Sequence, residues 1–198
     1  MPVNPNDPRV KRTRQLMMIA FMELLEQKKN IYSISIQDIT NQATVNRATF
    51  YAHFEDKNAF LECWMREKFL MIMKDKLPDL RITGMNSLQI IIQTVFEFLI
   101  RFRQYMTPGD NQFEPLFEIA MHKELDQLLL RWLKEEHRAS SSEEMLETTA
   151  LVISWGIFGT ALQWSRNPQR RSVNLMVREV VEVVAAAVAP VMADAESL

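Results

Sequence analysis

Residues 35–57 read SIQDITNQATVNRATFYAHFEDK. Ser35 offers a side-chain oxygen to cap a helix, and Asp38, three residues on, makes a short capping box with it. The helix so begun, Ile36 to about Ala43, has only two turns, with Ile36, Ile39 and Ala43 toward a core. Thr44-Val45 makes a tight turn. Asn46 then caps a second short helix, roughly Arg47 to His53, with Phe50 and Phe54 on its apolar face. Helices this short do not persist alone, so neighbouring elements must hold them.

Those neighbours are legible on both sides. Upstream, Asp7-Pro8 is a helix start, and Met17, Ala20, Phe21, Leu24 and Leu25 recur at the spacing of one helical face. That helix stops at Lys28-Lys29-Asn30, where Asn tolerates the left-handed conformation of a C-cap. Downstream, Asp56 caps a long helix to about Lys76, ended by Leu77-Pro78. Apolar helices follow over about Met85–Arg103 and over Glu114–His137, the latter as one or two segments with an irregularity near His122. Two more run from Glu143 to about Arg166 and from Ser172 to near Pro190, with breaks at 107–110, 139–142 and Asn167-Pro168. The expected fold is all-α with about nine helices. A three-helix helix-turn-helix domain at 1–55 precedes a helical ligand-binding and dimerisation domain at 56–198.

Composition narrows the function. The chain has 198 residues, of which 47% are hydrophobic and 24% charged, as in ordinary globular proteins. Four glycines are too few for a turn-rich sheet fold or a glycine-rich phosphate site. One cysteine, Cys63, excludes an internal disulfide, and its expected role is packing. His53, His122 and His137 lack metal-ligand spacing, so neither metal nor cofactor is expected. No paired carboxylates or nucleophile set stands out, so no enzyme is expected. The N-terminus has no apolar signal core, no uncharged apolar run reaches membrane-spanning length, and a reduced, cytoplasmic setting follows. Residues 1–76 carry 12 Lys/Arg against 9 Asp/Glu, and the remainder 11 against 16: a basic head on an acidic body.

Two short helices about a tight turn suit the DNA major groove, about 12 Å wide, into which a helix of about 10–12 Å fits. Arg47 can pair with guanine, and Thr49, Tyr51 and His53 can donate to phosphate oxygens. Gln37 can reach an adenine edge or the backbone. Lys57 lies in the first helical turn, where N–H groups attract phosphate. More bland roles are packing for Tyr51, a structural hydrogen bond for His53 and a solvated charge for Lys57.

The stretch from Thr13 to about Leu61 resembles the tetracycline-repressor family of bacterial regulators. The resemblance rests on Ile36-Gln37-Asp38-Ile39, on Ala43-x-Val45-Asn46-Arg47-Ala48-Thr49-Phe50-Tyr51-Ala52-His53-Phe54, and on Asp56-Lys57-x-x-Phe60-Leu61. The resemblance implies phosphate contacts at Thr49, Tyr51 and Lys57, and base or backbone proximity for Ser35, Gln37, Arg47, Ala48 and His53, with Asn46 at the helix start. Three departures stand out: the family usually has Gly after the first helix and in the helix-turn-helix turn, where this chain has Lys29-Asn30 and Thr44, and it often has small or Gly residues where this chain has Arg47-Ala48, so the family's base preference does not carry over.

The body suggests a homodimer. Leu151, Trp155, Phe158, Gly159 and Leu162 form one helical stripe, and Val180, Val184 and Val188 lie on a helix apolar on more than one side. By resemblance these two helices and their mates would make a four-helix bundle. Phe96, Tyr105, Phe117, Met121, His122, Trp132 and Gln163 are candidates for a small-molecule effector pocket, with ordinary core as the plainer reading. The implied function is a sequence-specific transcriptional regulator, a repressor by resemblance, bound to a palindromic double-stranded DNA operator and released by an unidentified effector, without a membrane partner. The alternative is a helical small-molecule-binding or protein-interaction dimer without DNA function.

Overall fold

The computed structural model describes residues 7–105, 114–136, 142–167 and 171–193, the side chains of Glu114, Leu116, Phe117, Met192 and Ala193 excepted. The expected break at 107–110, the helix end at His137, the loop at 139–141 and Pro168 lie outside them. The described residues contain eight α-helices, one 3-10 turn and no strand. The helices are α1 Pro8–Lys28, α2 Ile36–Gln42, α3 Arg47–His53, α4 Lys57–Lys76, α5 Met85–Arg103, α6 Glu114–Glu136, α7 Glu143–Ser165 and α8 Val173–Ala193. The ninth element is the 3-10 turn Pro78–Leu80 rather than an α-helix.

Local chemistry accounts for the boundaries. Asp7 accepts the Arg9 N–H at 2.8 Å with Pro8 in the first helical position, and Asp56 accepts the Ala59 N–H at 2.8 Å to start α4. Ser142 and Ser172 cap α7 and α8. Two expectations change. α6 passes His122 without interruption, and α8 continues past Pro190 to Ala193. Proline lacks the N–H of an interior position, but that loss is small near a helix end.

The chain forms two compact units, one of residues 1–65 with 102–117, the other of 66–101 with 118–198. In the first, α1, α2, α3 and the start of α4 close around an aromatic cluster. Phe21, Phe50 and Phe60 are fully buried, and Phe54 and Trp64 nearly so. Phe21 meets Phe60 and Trp64 edge-on, with centroids 5.4 and 4.9 Å apart, and Phe60 meets Phe54 at 5.0 Å. Each such pair adds about 0.5–1.5 kcal/mol beyond burial. This cluster, with Ile31, Ile34 and Ile39, holds two seven-residue helices that have no stability alone.

In the second unit α7 packs on α8, and Phe96, Leu125, Leu129, Ile157 and Phe158 are buried. By length and composition α7 could cross a membrane. This departs from the expectation that no such run exists, because Ser and Thr interrupt the apolar sequence of the helix without making it polar. Its buried residues, among them Leu146, Ala150, Ile153, Ile157 and Ala161, form one stripe, as in a helix packed within a helical body.

Both departures from glycine sit where glycine is favoured. Lys29 caps α1 at φ 52°, and Thr44 in the turn has φ 54°. The left-handed cap is thus Lys29 and not Asn30, whose Oδ1 accepts the Tyr32 and Ser33 N–H groups instead. A non-glycine residue there costs about 1–2 kcal/mol, more for a β-branched one, partly offset in Gly by the entropy of its unfolded chain. Thr44→Gly is therefore expected to stabilise the protein by about 1 kcal/mol, raising Tm by roughly 2–4 °C. An unchanged or lower Tm in a thermal melt would remove this account of the turn.

Candidate nucleic-acid interface

The α2–α3 segment is positioned by three caps and one ring. Ser35 Oγ accepts the Asp38 N–H at 3.1 Å, and Asp38 Oδ2 accepts the Ser35 N–H at 2.8 Å, a complete capping box. Lys28 Nζ donates to the same carboxylate at 3.0 Å, tying α1 to α2. These contacts, the Ser35 backbone bond first, lower the Asp38 pKa to about 2. A carboxylate with a depressed folded pKa stabilises the fold above its unfolded value of about 4, and loses that contribution as pH falls toward 2. Asp38→Asn is expected to flatten the pH dependence of Tm in that window, measured against wild type. A parallel slope in both proteins would contradict it.

Asn46 Oδ1 accepts the Ala48 N–H at 2.9 Å, so its side chain is committed to capping α3. Phe50 is the buried residue of α3. Anchoring the helix by this one ring turns Arg47, Ala48, Tyr51 and Ala52 outward, with Thr49 and His53 half-buried. Arg47 Nη2 donates to Tyr51 Oη at 3.2 Å, and its guanidinium lies 5.6 Å from that ring's centroid. Tyr51 in turn sets its ring against Phe50 at 5.7 Å while remaining 46% exposed. It therefore both packs and presents its hydroxyl. A long flexible arginine is held along the helix before any partner arrives, which reduces the entropy lost on contact. On α2 the exposed Gln37 Nε2 donates to Asn41 Oδ1 at 2.6 Å.

His53 packs beside Phe54, centroids 6.3 Å apart. Burial, reinforced by the positive charge of Arg14, pushes its pKa below the usual histidine value and so favours the neutral ring. Arg14, not singled out in the sequence, lies over the Phe54 ring at 5.1 Å and donates to Cys63 Sγ at 2.6 Å. Forty-nine residues separate that pair, and no local spacing signals it.

Lys57 holds a different position from the other candidates. It is half-buried, and its Nζ donates to the Ile31 and Tyr32 carbonyls at 3.2 Å each, 5.5 Å from the Tyr32 ring. It closes the loop between α1 and α2. Charge-assisted bonds of this kind contribute about 1.5–3 kcal/mol. Lys57→Met should destabilise the protein by about 2 kcal/mol in urea unfolding. A Met variant of wild-type stability would return Lys57 to the role of a surface charge.

The pocket candidates are divided. Phe96 is buried against Trp164, Met121 is buried, and Tyr105 belongs to the first unit, where its carbonyl accepts the Ile31 N–H. The His122 Nε2 lies 3.0 Å from Ser154 Oγ, with the ring stacked on Trp155 at 3.8 Å. Trp132 and Gln163 line two different grooves. The side chain of Phe117 lies outside the described residues.

The candidate interface residues also separate into two groups. Phe158, Val180, Val184 and Val188 are buried within the chain itself, whereas Leu151 and Trp155 are 48% and 52% exposed. Gly159 and Leu162 are intermediate. The apolar surface is completed by Val183, 70% exposed, on the apolar last helix, and by Val152, 60% exposed, which sequence reading did not select.

A capped, outward-facing second helix on a tight turn places the chain in the helix-turn-helix class. Over 56 residues it is 41% identical to YxbF of Bacillus subtilis (strain 168), an uncharacterised HTH-type transcriptional regulator; the match spans 28% of this chain and 15% of that protein. No protein-family model matches the chain. Among solved structures it is similar to a TetR-family transcriptional regulator from Streptomyces coelicolor, with a TM-score of 0.53, 16% identity and coverage of 92% and 83% of the two chains. It is similar also to RolR in complex with resorcinol (0.56, 14%, 96% of each) and to FadR from Bacillus subtilis in complex with stearoyl-CoA (0.52, 17%, 87% and 98%). The chain has the all-helical fold of the tetracycline-repressor type.

Proposed function

We propose that this protein is a sequence-specific DNA-binding transcriptional regulator, a repressor acting in the cytoplasm as a homodimer on a palindromic operator. The observation that carries this reading is the presentation of α3. Its one buried ring and its capped N-terminus leave Arg47 and Tyr51 facing outward as a pre-ordered pair. Arg47 reads a guanine edge, and the α3 N-terminus with Thr49 and Tyr51 sits against phosphates. Gln37, Ser35, Ala48 and His53 line the same approach, and Asn46 and Lys57 hold the helices in place. The DNA-reading function lies in residues 1–55 and the regulatory function in 56–198.

One seven-residue reading helix gives little selectivity, so two copies are required, about 34–36 Å apart to match successive major grooves. The exposed Leu151, Val152, Trp155 and Val183 support pairing through α7 and α8. Release by a small molecule is supported by the ligands found with RolR and FadR. The test is the salt dependence of DNA binding. With about three to five phosphates neutralised per head, the slope of log K against log salt should be roughly -5 to -9. A slope near zero would refute the reading.

A further inference from the structure

The solvent face of α1 carries a pattern of its own. Its core face takes Met17, Phe21, Leu24 and Leu25, yet Leu16 and Ile19 on the other side are 42% and 57% exposed. Arg9, Arg12, Leu16, Ile19, Glu23 and Glu26 are all exposed and follow one another at alternating steps of three and four residues. That spacing is the seam of a coiled coil. The order along it is two basic, two apolar and two acidic residues. For an isolated helix this order is unfavourable, because the cations lie toward the positive N-terminal end and the carboxylates toward the negative end. None of the four charged residues has an ion-pair partner among the described residues, and Glu23 accepts from the neutral Gln42 Nε2 at 2.6 Å.

Reversed, the order is its own complement. When two α1 helices lie antiparallel, Leu16 meets the second copy's Ile19, Arg12 its Glu23 and Arg9 its Glu26, each contact occurring twice about a two-fold axis. A parallel pair would set Arg on Arg and Glu on Glu, which repel. A polyanion laid along the stripe would be opposed by Glu23 and Glu26. We propose that the outer face of α1 is a homotypic docking surface, on which a second copy of this chain packs its own α1 antiparallel. The charged layers fix direction and register more than they add affinity. With two exposed apolar residues from each copy the contact is weak, with Kd on the order of 0.1–1 mM. Where the chain also pairs through α7 and α8, this contact joins such pairs to each other. No DNA takes part, so the surface stands or falls separately from the regulator reading.

Sedimentation equilibrium of the full-length protein without DNA, from about 10 µM to about 1 mM at low salt, tests this. Wild type should show an association step in the upper part of that range, weakened when salt is raised to about 0.5 M. Arg12→Glu sets glutamate against Glu23 twice and should weaken the step by about tenfold. Arg12→Glu/Glu23→Arg restores opposite charges and should return to within about threefold of wild type. Ile19→Gln, which alters no charge, should also weaken the step by about tenfold. These are surface changes, and an acidic side chain suits the N-terminal end of a helix, so the Tm of Arg12→Glu should not fall below that of wild type. None of the substituted residues lies on α7 or α8, so any pairing through those helices is a constant background. Absence of the step in wild type at about 1 mM, a step indifferent to Arg12→Glu or to Ile19→Gln, or a folded double variant that does not recover would overturn the antiparallel docking.

Discussion

Arg47→Ala is expected to abolish preference for one base pair in each half of the operator while leaving the protein folded. Arg47 is exposed and its one side-chain hydrogen bond among the described residues is to the exposed Tyr51, so its removal should change stability by no more than about 0.5 kcal/mol. A bidentate arginine–guanine pair discriminates by about 1–3 kcal/mol, and a symmetric dimer makes it twice, so operator affinity should fall by about 2–6 kcal/mol. Binding to unrelated duplexes should barely change, because phosphate contacts carry that term. Tyr51→Phe separates positioning from reading. It keeps the ring packed on Phe50 and the cation over the ring, but removes the hydroxyl that receives Arg47. It should cost less than Arg47→Ala and act at the same base position. Fluorescence anisotropy with an operator and its single-base variants measures both. An Arg47→Ala protein with unaltered discrimination would remove α3 as the reading element.

Val183→Glu is the second large effect. Val183 is 70% exposed within one chain, beside a groove lined by Val152, Gly156 and Val180, so a glutamate there leaves the isolated fold undisturbed. In a dimer paired through α7 and α8 the charge would be buried without a partner, twice, at a cost of several kcal/mol per copy. Light scattering should then show a monomer at micromolar concentration where wild type is a dimer. Operator affinity should drop on the order of 10²–10⁴-fold, the contribution of linking two heads. A dimeric Val183→Glu protein would place the interface elsewhere.

What could be read in advance, and what could not, divides by the range of the interaction. The Arg47–His53 helix was readable to its ends because Asn46 and Phe54 act within one turn. The capping box of Ser35 and Asp38 was readable for the same reason. The left-handed conformations of Lys29 and Thr44 carry no residue signal, since neither residue type favours them; only the contrast with glycine in similar proteins marks the places. Position near a helix start and the family resemblance both point Lys57 to phosphate, and only the fold brings it to carbonyls 25 and 26 residues away. On α7 and α8 apolar residues cover more than one side. The pattern therefore could not tell Phe158 and Val184, which face the chain's own core, from Val152 and Val183, which face outward. The aromatic residues of α5 and α6 are mostly packed, and the donor left unsatisfied, Trp132 Nε1, is visible only once its neighbours are placed.

The most direct test of the central claim, that two copies of α3 read adjacent turns of DNA, is selection from random duplexes with the purified protein. The account predicts an enriched inverted repeat whose half-site centres lie about 10–10.5 base pairs apart or a multiple of that, with a guanine in each half that is lost in the Arg47→Ala selection. An enriched pool without two-fold symmetry, or no enrichment over the starting library, would contradict it.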